Sequence, residues 1–214
     1  MNTTVRLSRR AAVLMTVLPL TFLGTSALPA SAQWDEDGWC EGKEVTKVVT
    51  DETATTVTLT GDDDVVLVKD AGHVLFLEGG DDYVCGSDGA DVVHGGDGED
   101  RLYGKGGPDS LYGEGGHDKL IGDEGYDKQY GGEGTDWMSG GVGKDTQQGG
   151  PDADYLYGDG QPDVMDGNGG DDLLEGGYGK DDVSGGNGDD CLKGGDGADD
   201  LDGEGGKDEV VQEK

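Results

Sequence analysis

Basic residues are scarce in this sequence. Lysine and arginine together number 15, against 48 aspartates and glutamates, so the 214-residue chain has a formal net charge of −33. A chain with this excess of negative charge is repelled by nucleic-acid phosphates and by anionic lipid headgroups. Nucleic acid is therefore excluded as a natural partner, and an anionic membrane surface is disfavoured.

The side chains that usually build a hydrophobic core are also few. Aromatic residues make up 6% of the chain, whereas glycine alone contributes 45 residues. Such a composition is typical of disordered chains, because they cannot bury enough apolar surface to offset the entropy lost on folding. By composition alone, the chain would be classed with disordered proteins.

Residue patterns that carry catalysis are missing as well. His73, His94 and His117 are isolated, with no His-Glu-x-x-His motif and no spacing suited to zinc, so we expect surface histidines. There is no Gly-x-Ser-x-Gly nucleophile turn and no phosphate-binding loop. Residues 33–85 are too few for a separate catalytic domain. We therefore predict no enzymatic activity.

The sequence does contain a long repeat. Residues 86–211 divide into fourteen consecutive nine-residue blocks with no insertion or deletion, as in residues 95–103, GGDGEDRLY. Position 1 is glycine and position 6 is aspartate in all fourteen blocks, while position 4 is glycine in twelve and position 8 is apolar in twelve. Four positions kept in phase over this length indicate an architectural repeat.

A nine-residue period with one inward side chain fits neither an α-helix nor a long strand. It fits a turn of about six residues and a strand of about three, in which position 8 points inward. Glycines at positions 1 and 4 are expected to supply the positive φ angles of the turn. Two blocks then complete one circuit, and blocks n and n+2 stack. The predicted fold is all-β: a parallel β-roll, that is, a two-sheet β-helix solenoid of nonapeptide repeats.

The position-6 aspartates would then align in two columns, one along each edge of the roll. Successive carboxylates in a column would lie about 5 Å apart and repel each other strongly. A hard divalent cation between each stacked pair removes this repulsion. Backbone carbonyls of the turn can complete the roughly six to eight oxygen ligands that Ca²⁺ prefers, whereas Mg²⁺ is reluctant to give up its water.

The block resembles the G-G-x-G-x-D-x-U-x nonapeptide of RTX (hemolysin-type) calcium-binding proteins, fully over residues 86–211 and weakly back to about residue 59. The resemblance implies Ca²⁺ held between turns n and n+2 on each edge. The ligands it implies, with Asp82 added because it falls in phase, are Asp82, Asp91, Asp100, Asp109, Asp118, Asp127, Asp136, Asp145, Asp154, Asp163, Asp172, Asp181, Asp190, Asp199 and Asp208. Fourteen blocks paired in this way allow up to about a dozen calcium ions.

Four residues depart from the repeat. Position 4 is Asp152 in one block and Gln161 in the next. Because the turn needs a left-handed residue there, we expect weakened calcium turns over residues 149–163. Gln129 and Gln147 replace the apolar residue at position 8 two blocks apart, so they should stack in one sheet. Either the two amides form a buried ladder or the core is locally hydrated.

The beginning of the chain has the features of a secretory signal. Arg6, Arg9 and Arg10 precede an apolar run, and an Ala-Ser-Ala cleavage pattern ends at residue 32. The run is too short for a transmembrane helix, so we predict no membrane insertion. The mature chain is expected to be secreted into extracellular fluid, where calcium is plentiful. Loss of three arginines and no acids changes its formal charge from −33 to −36.

The repeat fades towards the beginning of the chain. Val57, Val66, Leu75 and Val84 continue the position-8 column backwards, while the Asp-Gly turns fade. Asp64 still occupies position 6, and His73 replaces the aspartate in the next block. These patterns divide the chain into a signal peptide at 1–32, a leader or cap at 33–58, degenerate opening coils at 59–85, fourteen calcium-binding repeats at 86–211 and a tail at 212–214.

The leader contains Trp34, Trp39 and Cys40. The tryptophans either plug the open end of the core or belong to a disordered leader. Three cysteines are an odd number, so at least one is unpaired. A disulfide between Cys40 and Cys85 would tie the leader to the first coils. Cys191, at outward position 7, is then free or links two chains.

Outward positions 7 and 9 differ between alternate blocks. The even-numbered blocks carry Trp137, Tyr155 and Tyr157, whereas the odd-numbered blocks become acidic towards Asp182 and Asp200. One interpretation is a face that binds envelope polysaccharide or a second roll. The other is that aromatic residues fill these positions because they favour strands.

These patterns predict a secreted, non-enzymatic calcium-binding β-roll that is unfolded before export and folds on extracellular Ca²⁺. Metal binding to such a chain is expected to supply its folding free energy. The alternative is an extracellular adhesin or matrix protein, in which the calcium-rigidified roll presents Trp137, Tyr155 and Tyr157 to a polysaccharide or protein partner.

Overall fold

A computed structural model describes residues 4–6, 39–50 and 56–212, and these contain strands and turns without a helix. In chain order the strands are β1 (Thr4–Arg6), β2 (Trp39–Cys40), β3 (Lys43–Glu44), β4 (Lys47–Val49), β5 (Thr56–Thr58), β6 (Val65–Val68), β7 (Val74–Phe76), β8 (Tyr83–Cys85), β9 (Val92–Asp97), β10 (Arg101–Tyr103), β11 (Ser110–Gly115), β12 (Lys119–Glu124), β13 (Lys128–Glu133), β14 (Trp137–Val142), β15 (Thr146–Gly150), β16 (Tyr155–Gly160), β17 (Val164–Asn168), β18 (Leu173–Gly179), β19 (Asp182–Ser184), β20 (Cys191–Gly197), β21 (Asp200–Asp202) and β22 (Glu209–Val211). Most of the predicted signal peptide, together with Trp34, lies outside the described residues.

The strands form two parallel ten-stranded sheets and one short hairpin. The odd sheet contains β1 and the odd-numbered strands from β5 to β21, and the even sheet contains the even-numbered strands from β4 to β22. Each repeat strand pairs with the strand 18 residues away: Leu111 lies in register between Val93 and Gln129. This register confirms the predicted stacking of blocks n and n+2 and the parallel β-roll.

Many repeat strands are longer than the three residues predicted. Strand β11 covers positions 7 to 9 of one block and positions 1 to 3 of the next, and Glu114 still pairs with Gly96 and Gly132. The prediction failed because pairing in the ladder needs only backbone groups, which the glycines after position 9 also provide.

The core is the column of position-8 side chains between the two sheets. Val66, Leu75 and Val84 of the opening coils are fully buried, as are Leu102 to Leu192 at the same position in later coils. Val210, in the last strand, is 48% exposed. The predicted inward column is therefore confirmed, and it includes the strands before residue 86.

Gln129 and Gln147 form the buried amide ladder, one of the two alternatives from the sequence. The two residues pair in register, and Gln147 Nε2 donates a hydrogen bond to Gln129 Oε1 at 2.7 Å. Each amide also donates to a backbone carbonyl of the even sheet, from Gln129 to Ser139 at 2.8 Å and from Gln147 to Tyr157 at 3.1 Å. These bonds link the two sheets across the core.

The glycine pattern predicted positive φ angles at positions 1 and 4 of the block. Position 1 has none in the described residues. Positive φ angles occur at position 2, at Gly132 (117°) and even at Glu114 (76°) and Asp123 (69°). Position 4 is left-handed in some turns, including Gln161 at 77°. Position 1 is glycine for a steric reason, because in most blocks a Cβ atom there would meet the position-6 carboxylate of its own block.

The hairpin of the leader packs on the outside of the roll, whereas β4 and β5, which also fall within the predicted leader, are strands of the two sheets. Strands β2 and β3 form an antiparallel hairpin, and Cys40 forms a disulfide with Cys85, as the sequence suggested. Cys40 is buried against Leu67 and Tyr83. The residues next to these two in sequence face the core, so Leu67 and Tyr83 themselves lie on the outer face of the even sheet. The hairpin therefore covers the outer face of the even sheet. The side chain of Trp39 lies outside the described residues, so the plug stays a prediction. Cys191 is half-buried and free.

Candidate metal sites

The position-6 aspartates line the two edges of the roll in the predicted columns. From Asp82 to Asp190 every one of them is at most 3% exposed, whereas Asp199 and Asp208 are half-buried. The backbone N–H of each donates to Oδ1 of the aspartate 18 residues later, with N···O distances of 2.7–3.2 Å. This bond fixes one carboxylate oxygen and leaves the other directed into the turn.

The second carboxylate oxygen, Oδ2, lacks a partner in most of these residues. Among the described residues, buried Oδ2 atoms without a hydrogen bond belong to Asp64, Asp82, Asp100, Asp109, Asp118, Asp127, Asp136, Asp145, Asp154, Asp163, Asp172, Asp181 and Asp190. Buried polar atoms in proteins are nearly always satisfied. A repeated row of unsatisfied carboxylate oxygens therefore indicates that a cation or a proton belongs beside each one.

A backbone carbonyl converges on the same point as Oδ2. A Cβ atom added to Gly176 would lie 2.6 Å from Asp181 Oδ2 and 2.7 Å from the carbonyl oxygen of Gly194. The position-1 glycine is therefore required because the space beside its Cα is enclosed by oxygen atoms. Oxygen-only donors suit a hard cation such as Ca²⁺, so the residues present fit this metal.

The described residues contain no cluster of three or more histidine, cysteine, aspartate or glutamate side chains that could hold a metal ion. The columns explain this finding, because each gap between stacked turns is bordered by two position-6 carboxylates. A cation there would have to complete its ligand set with backbone carbonyls and water.

Burial raises the pKa of twelve of these carboxyl groups, and nearby carboxylates raise it further, while the amide bonded to Oδ1 lowers it. The pKa is raised to about 8 for Asp82, Asp109, Asp136 and Asp163, to about 7 for Asp100 and Asp172, and to about 6 for Asp118, Asp145 and Asp154. Ionised columns without a cation therefore disfavour the folded roll at neutral pH.

An alanine scan of two glycines in β11 tests the enclosed space. A Cβ at Gly113 would lie 2.5 Å from the carbonyl oxygen of Gly131, whereas the nearest atom to a Cβ at Gly115 is 3.6 Å away. We expect Gly113→Ala to destabilise the folded roll by about 1–3 kcal/mol. Gly115→Ala, the matched control, should change stability little. Denaturant unfolding in calcium measures both; equal effects would contradict the steric role of position 1.

The aspartates that directly precede strands of the odd sheet form one column, here called the odd column, and its first gap differs from the others. Asp91 Oδ2 accepts hydrogen bonds from Ser87, at 3.0 Å from its N–H and 2.7 Å from its hydroxyl. One coil earlier, His73 occupies position 6 and is 3% exposed. The expectation of a surface histidine is wrong for His73, because position 6 is buried in the repeat coils. The signal in the sequence for this different gap was Ser87, at position 2 of the block that contains Asp91.

The two blocks that depart at position 4 behave differently from each other. Gln161 adopts the left-handed conformation, whereas Asp152 does not. Asp152 Oδ2 instead accepts a hydrogen bond from the N–H of Gly134, one coil earlier, at 2.9 Å. Weakened calcium turns over residues 149–163 stay a prediction.

The odd sheet carries a column of stacked rings on its outer face. Phe76, His94, Tyr112 and Tyr130 stack with centroid separations of 4.5, 4.5 and 4.9 Å. His94 Nδ1 also lies 2.8 Å from Oε1 of Glu114. The signal in the sequence was the 18-residue spacing of these rings at position 9.

The even sheet carries the aromatic cluster suggested by the sequence. The rings of Trp137 and Tyr157 lie 5.5 Å apart, and Lys119 Nζ lies 4.5 Å from the centroid of Trp137. Tyr155 is 45% exposed beside them. The cluster is partly accessible on the outer face of the sheet.

Fold and site together define the class of this protein: a parallel β-roll whose two edges carry columns of buried aspartates. A family model, the RTX calcium-binding nonapeptide repeat, matches residues 74–93, 94–128, 130–147, 148–177 and 175–210. These matches cover more than half of the chain, so the chain belongs to this calcium-binding repeat family, as its sequence predicted. No curated protein matches it. The described part of the chain has no helix that is long and apolar enough to cross a membrane.

Proposed function

We propose that this protein is a secreted, non-enzymatic calcium-binding β-roll that folds as calcium enters the gaps between stacked turns. The observation that carries the proposal is the row of buried Oδ2 atoms without hydrogen-bond partners among the described residues. Most of these atoms face a glycine carbonyl, and a cation beside them would balance the charge of the ionised carboxylate. Calcium is abundant outside cells, and extracellular modules bind it at about 10⁻⁴–10⁻³ M.

The proposed ligands are the position-6 aspartates from Asp91 to Asp208, together with Asp82. In each turn the Oδ1 bond to the neighbouring coil orients the carboxylate, and from Asp100 onwards the position-1 glycine leaves room beside Oδ2. Bound calcium would supply the positive charge that the columns lack. About a dozen ions would contribute roughly +24 and leave the exported chain near −12, which reduces its self-repulsion.

The proposed export route is the signal peptide at residues 1–32. Its removal would also remove β1, which pairs with Thr56–Thr58, and would leave β5 at the edge of the odd sheet. The absence of catalysis is proposed because His94 is held in a ring stack and His117 Nδ1 accepts a hydrogen bond from the N–H of Thr135 at 2.7 Å.

Two neighbouring aspartates test the assignment of the ligands. Asp181 is 1% exposed and lies in the odd column, whereas Asp182 is exposed at outward position 7. We expect Asp181→Asn to lose about one to two bound calcium ions, since its carboxylate borders two gaps. Asp182→Asn should retain them all. Isothermal calorimetry with metal analysis gives both counts; identical counts would exclude the columns as the binding sites.

A second function is favoured by the aromatic cluster on the even sheet. Trp137, Tyr155 and Tyr157 lie together on a strand surface that calcium would hold rigid, as an extracellular adhesin or matrix protein requires. Partners suited to this surface are an envelope polysaccharide or a second copy of the roll. Aromatic rings stack on the apolar faces of sugars, and they are enriched at protein interfaces.

Alanine at these three positions tests the second function. We expect the triple variant to lose retention on envelope polysaccharide, measured by cosedimentation in calcium, while its folding stays calcium-dependent. Alanine at Tyr112 and Tyr130 of the odd sheet provides a control with a similar loss of aromatic area. Unchanged retention and an unchanged oligomeric state in the triple variant would remove this function.

A further inference from the structure

The coils that precede the repeats have a denser core than the repeats themselves. Where the repeats have glycine at position 1, these coils have Leu59, Val68 and Leu77, and all three are buried. Each nine-residue block of the opening coils therefore buries a second apolar side chain in addition to the one at position 8. Because burial of apolar area drives folding, these coils depend less on other contributions than the repeats do.

The carboxylate columns of the opening coils are partly compensated by the protein itself. Lys47 Nζ lies 2.9 Å from Asp64 Oδ1, and Thr46 Oγ1 donates to the same oxygen at 3.3 Å. On the other edge, His73 replaces an aspartate and Ser87 satisfies Asp91. The Oδ2 atoms of Asp64 and Asp82 still have no partner in the described residues. With one aspartate paired to a lysine and one replaced by histidine, the opening coils contain less of the repulsion between stacked carboxylates than the repeats do.

A disulfide and a second apolar cluster reinforce the same coils from outside. Cys40, joined to Cys85, packs with Leu67 and Tyr83 on the outer face of the even sheet. Lys43 Nζ lies 4.6 Å from the ring centroid of Tyr83. A disulfide that closes a loop of this length lowers the entropy of the unfolded chain and so favours the folded state.

From these contacts we propose that residues 40–50 and 56–91, the opening unit, fold without calcium and serve as the template on which calcium then folds the repeats in order. Strand β8 offers a parallel edge to β10, with Val84 in register with Leu102. In a solenoid the first coil is the costly one, because later coils add to an existing edge. The inference rests on the proposed calcium-driven folding of the repeats and adds its starting point and direction.

Hydrogen exchange on the full exported chain, oxidised and measured at pH 7.5, tests the template. In chelator we expect amides of β6, β7 and β8 to stay protected, while amides of β12 to β22 exchange as in an unfolded chain. Added calcium should extend protection into the repeats. Exchange of the opening unit at unfolded rates in chelator, with the repeats still protected by calcium, would overturn the template alone. Repeats that are protected in chelator, or unprotected in calcium, would instead overturn the proposed function.

A kinetic comparison tests the direction of folding. Leu75, in the opening unit, and Leu192, in a late repeat, are both fully buried position-8 leucines. We expect Leu75→Ala to slow calcium-triggered folding about tenfold, and Leu192→Ala to leave that rate within about twofold while it speeds unfolding on chelation. Equal slowing by the two substitutions, or slowing by Leu192→Ala alone, would contradict a template at residues 40–91.

Discussion

Calcium added to the metal-free exported chain is expected to convert the repeats from an expanded coil into parallel β-structure in one cooperative transition. Without metal the chain combines a formal charge of −36 with one apolar side chain per repeat block. That core is too thin to overcome the repulsion between stacked carboxylates. Far-UV circular dichroism should show the transition at about 10⁻⁴–10⁻³ M calcium.

Magnesium is the control for this transition. It demands a near-octahedral shell and gives up water reluctantly, so gaps bordered by two carboxylates and glycine carbonyls should bind it poorly. We expect little change in the spectrum at equal concentrations of Mg²⁺. Repeats that are β-rich in chelator, or that respond equally to both ions, would show that the aspartate columns are not calcium sites.

Acidification in calcium-depleted buffer is expected to restore β-structure in the repeats. Burial raises the pKa of Asp136 and Asp163 from an ordinary value of 3.8 to about 8 in the folded roll. A carboxyl group whose pKa is higher folded than unfolded stabilises the fold when it is protonated. This stability is fully present below about pH 4 and is lost as the pH rises through the folded values of about 6 to 8.

Circular dichroism between pH 8 and pH 5 in calcium-depleted buffer measures this effect, and a scan in saturating calcium is its control. With calcium present the dependence should reverse, because the ion binds the ionised carboxylate and protons compete with it. A metal-free chain with more β-structure at pH 8 than at pH 5 would contradict the burial of the columns.

Much of the fold could be predicted from the repeat. A strict period of nine places position 8 inward in every block, which identified the core from Val57 to Leu192 and the stacking of coils 18 residues apart. The same arithmetic placed Gln129 beside Gln147, because two blocks make one coil. Period and spacing are properties of the sequence alone, so these predictions needed no knowledge of packing.

The conformation of the turn could not be predicted in the same way. A recurring spacing of glycines does not distinguish a left-handed φ angle from a lack of space for a Cβ atom. The structure separates the two: Gly132 at position 2 is left-handed, whereas Gly176 at position 1 adjoins Asp181 Oδ2 and the next coil. Contacts between coils, such as that of Ser87 with Asp91, likewise depend on how the turn bends.

By itself, the sequence determined the period, the inward column and the two rows of aspartates, because each follows from which positions recur. Only the tertiary structure decided which carboxylate oxygen is satisfied and which is left for a cation, since Oδ1 is engaged by an amide 18 residues earlier in the chain. It also decided that the hairpin of Cys40 covers the outer face of the even sheet, because a disulfide partner specifies proximity but not the face against which a segment packs.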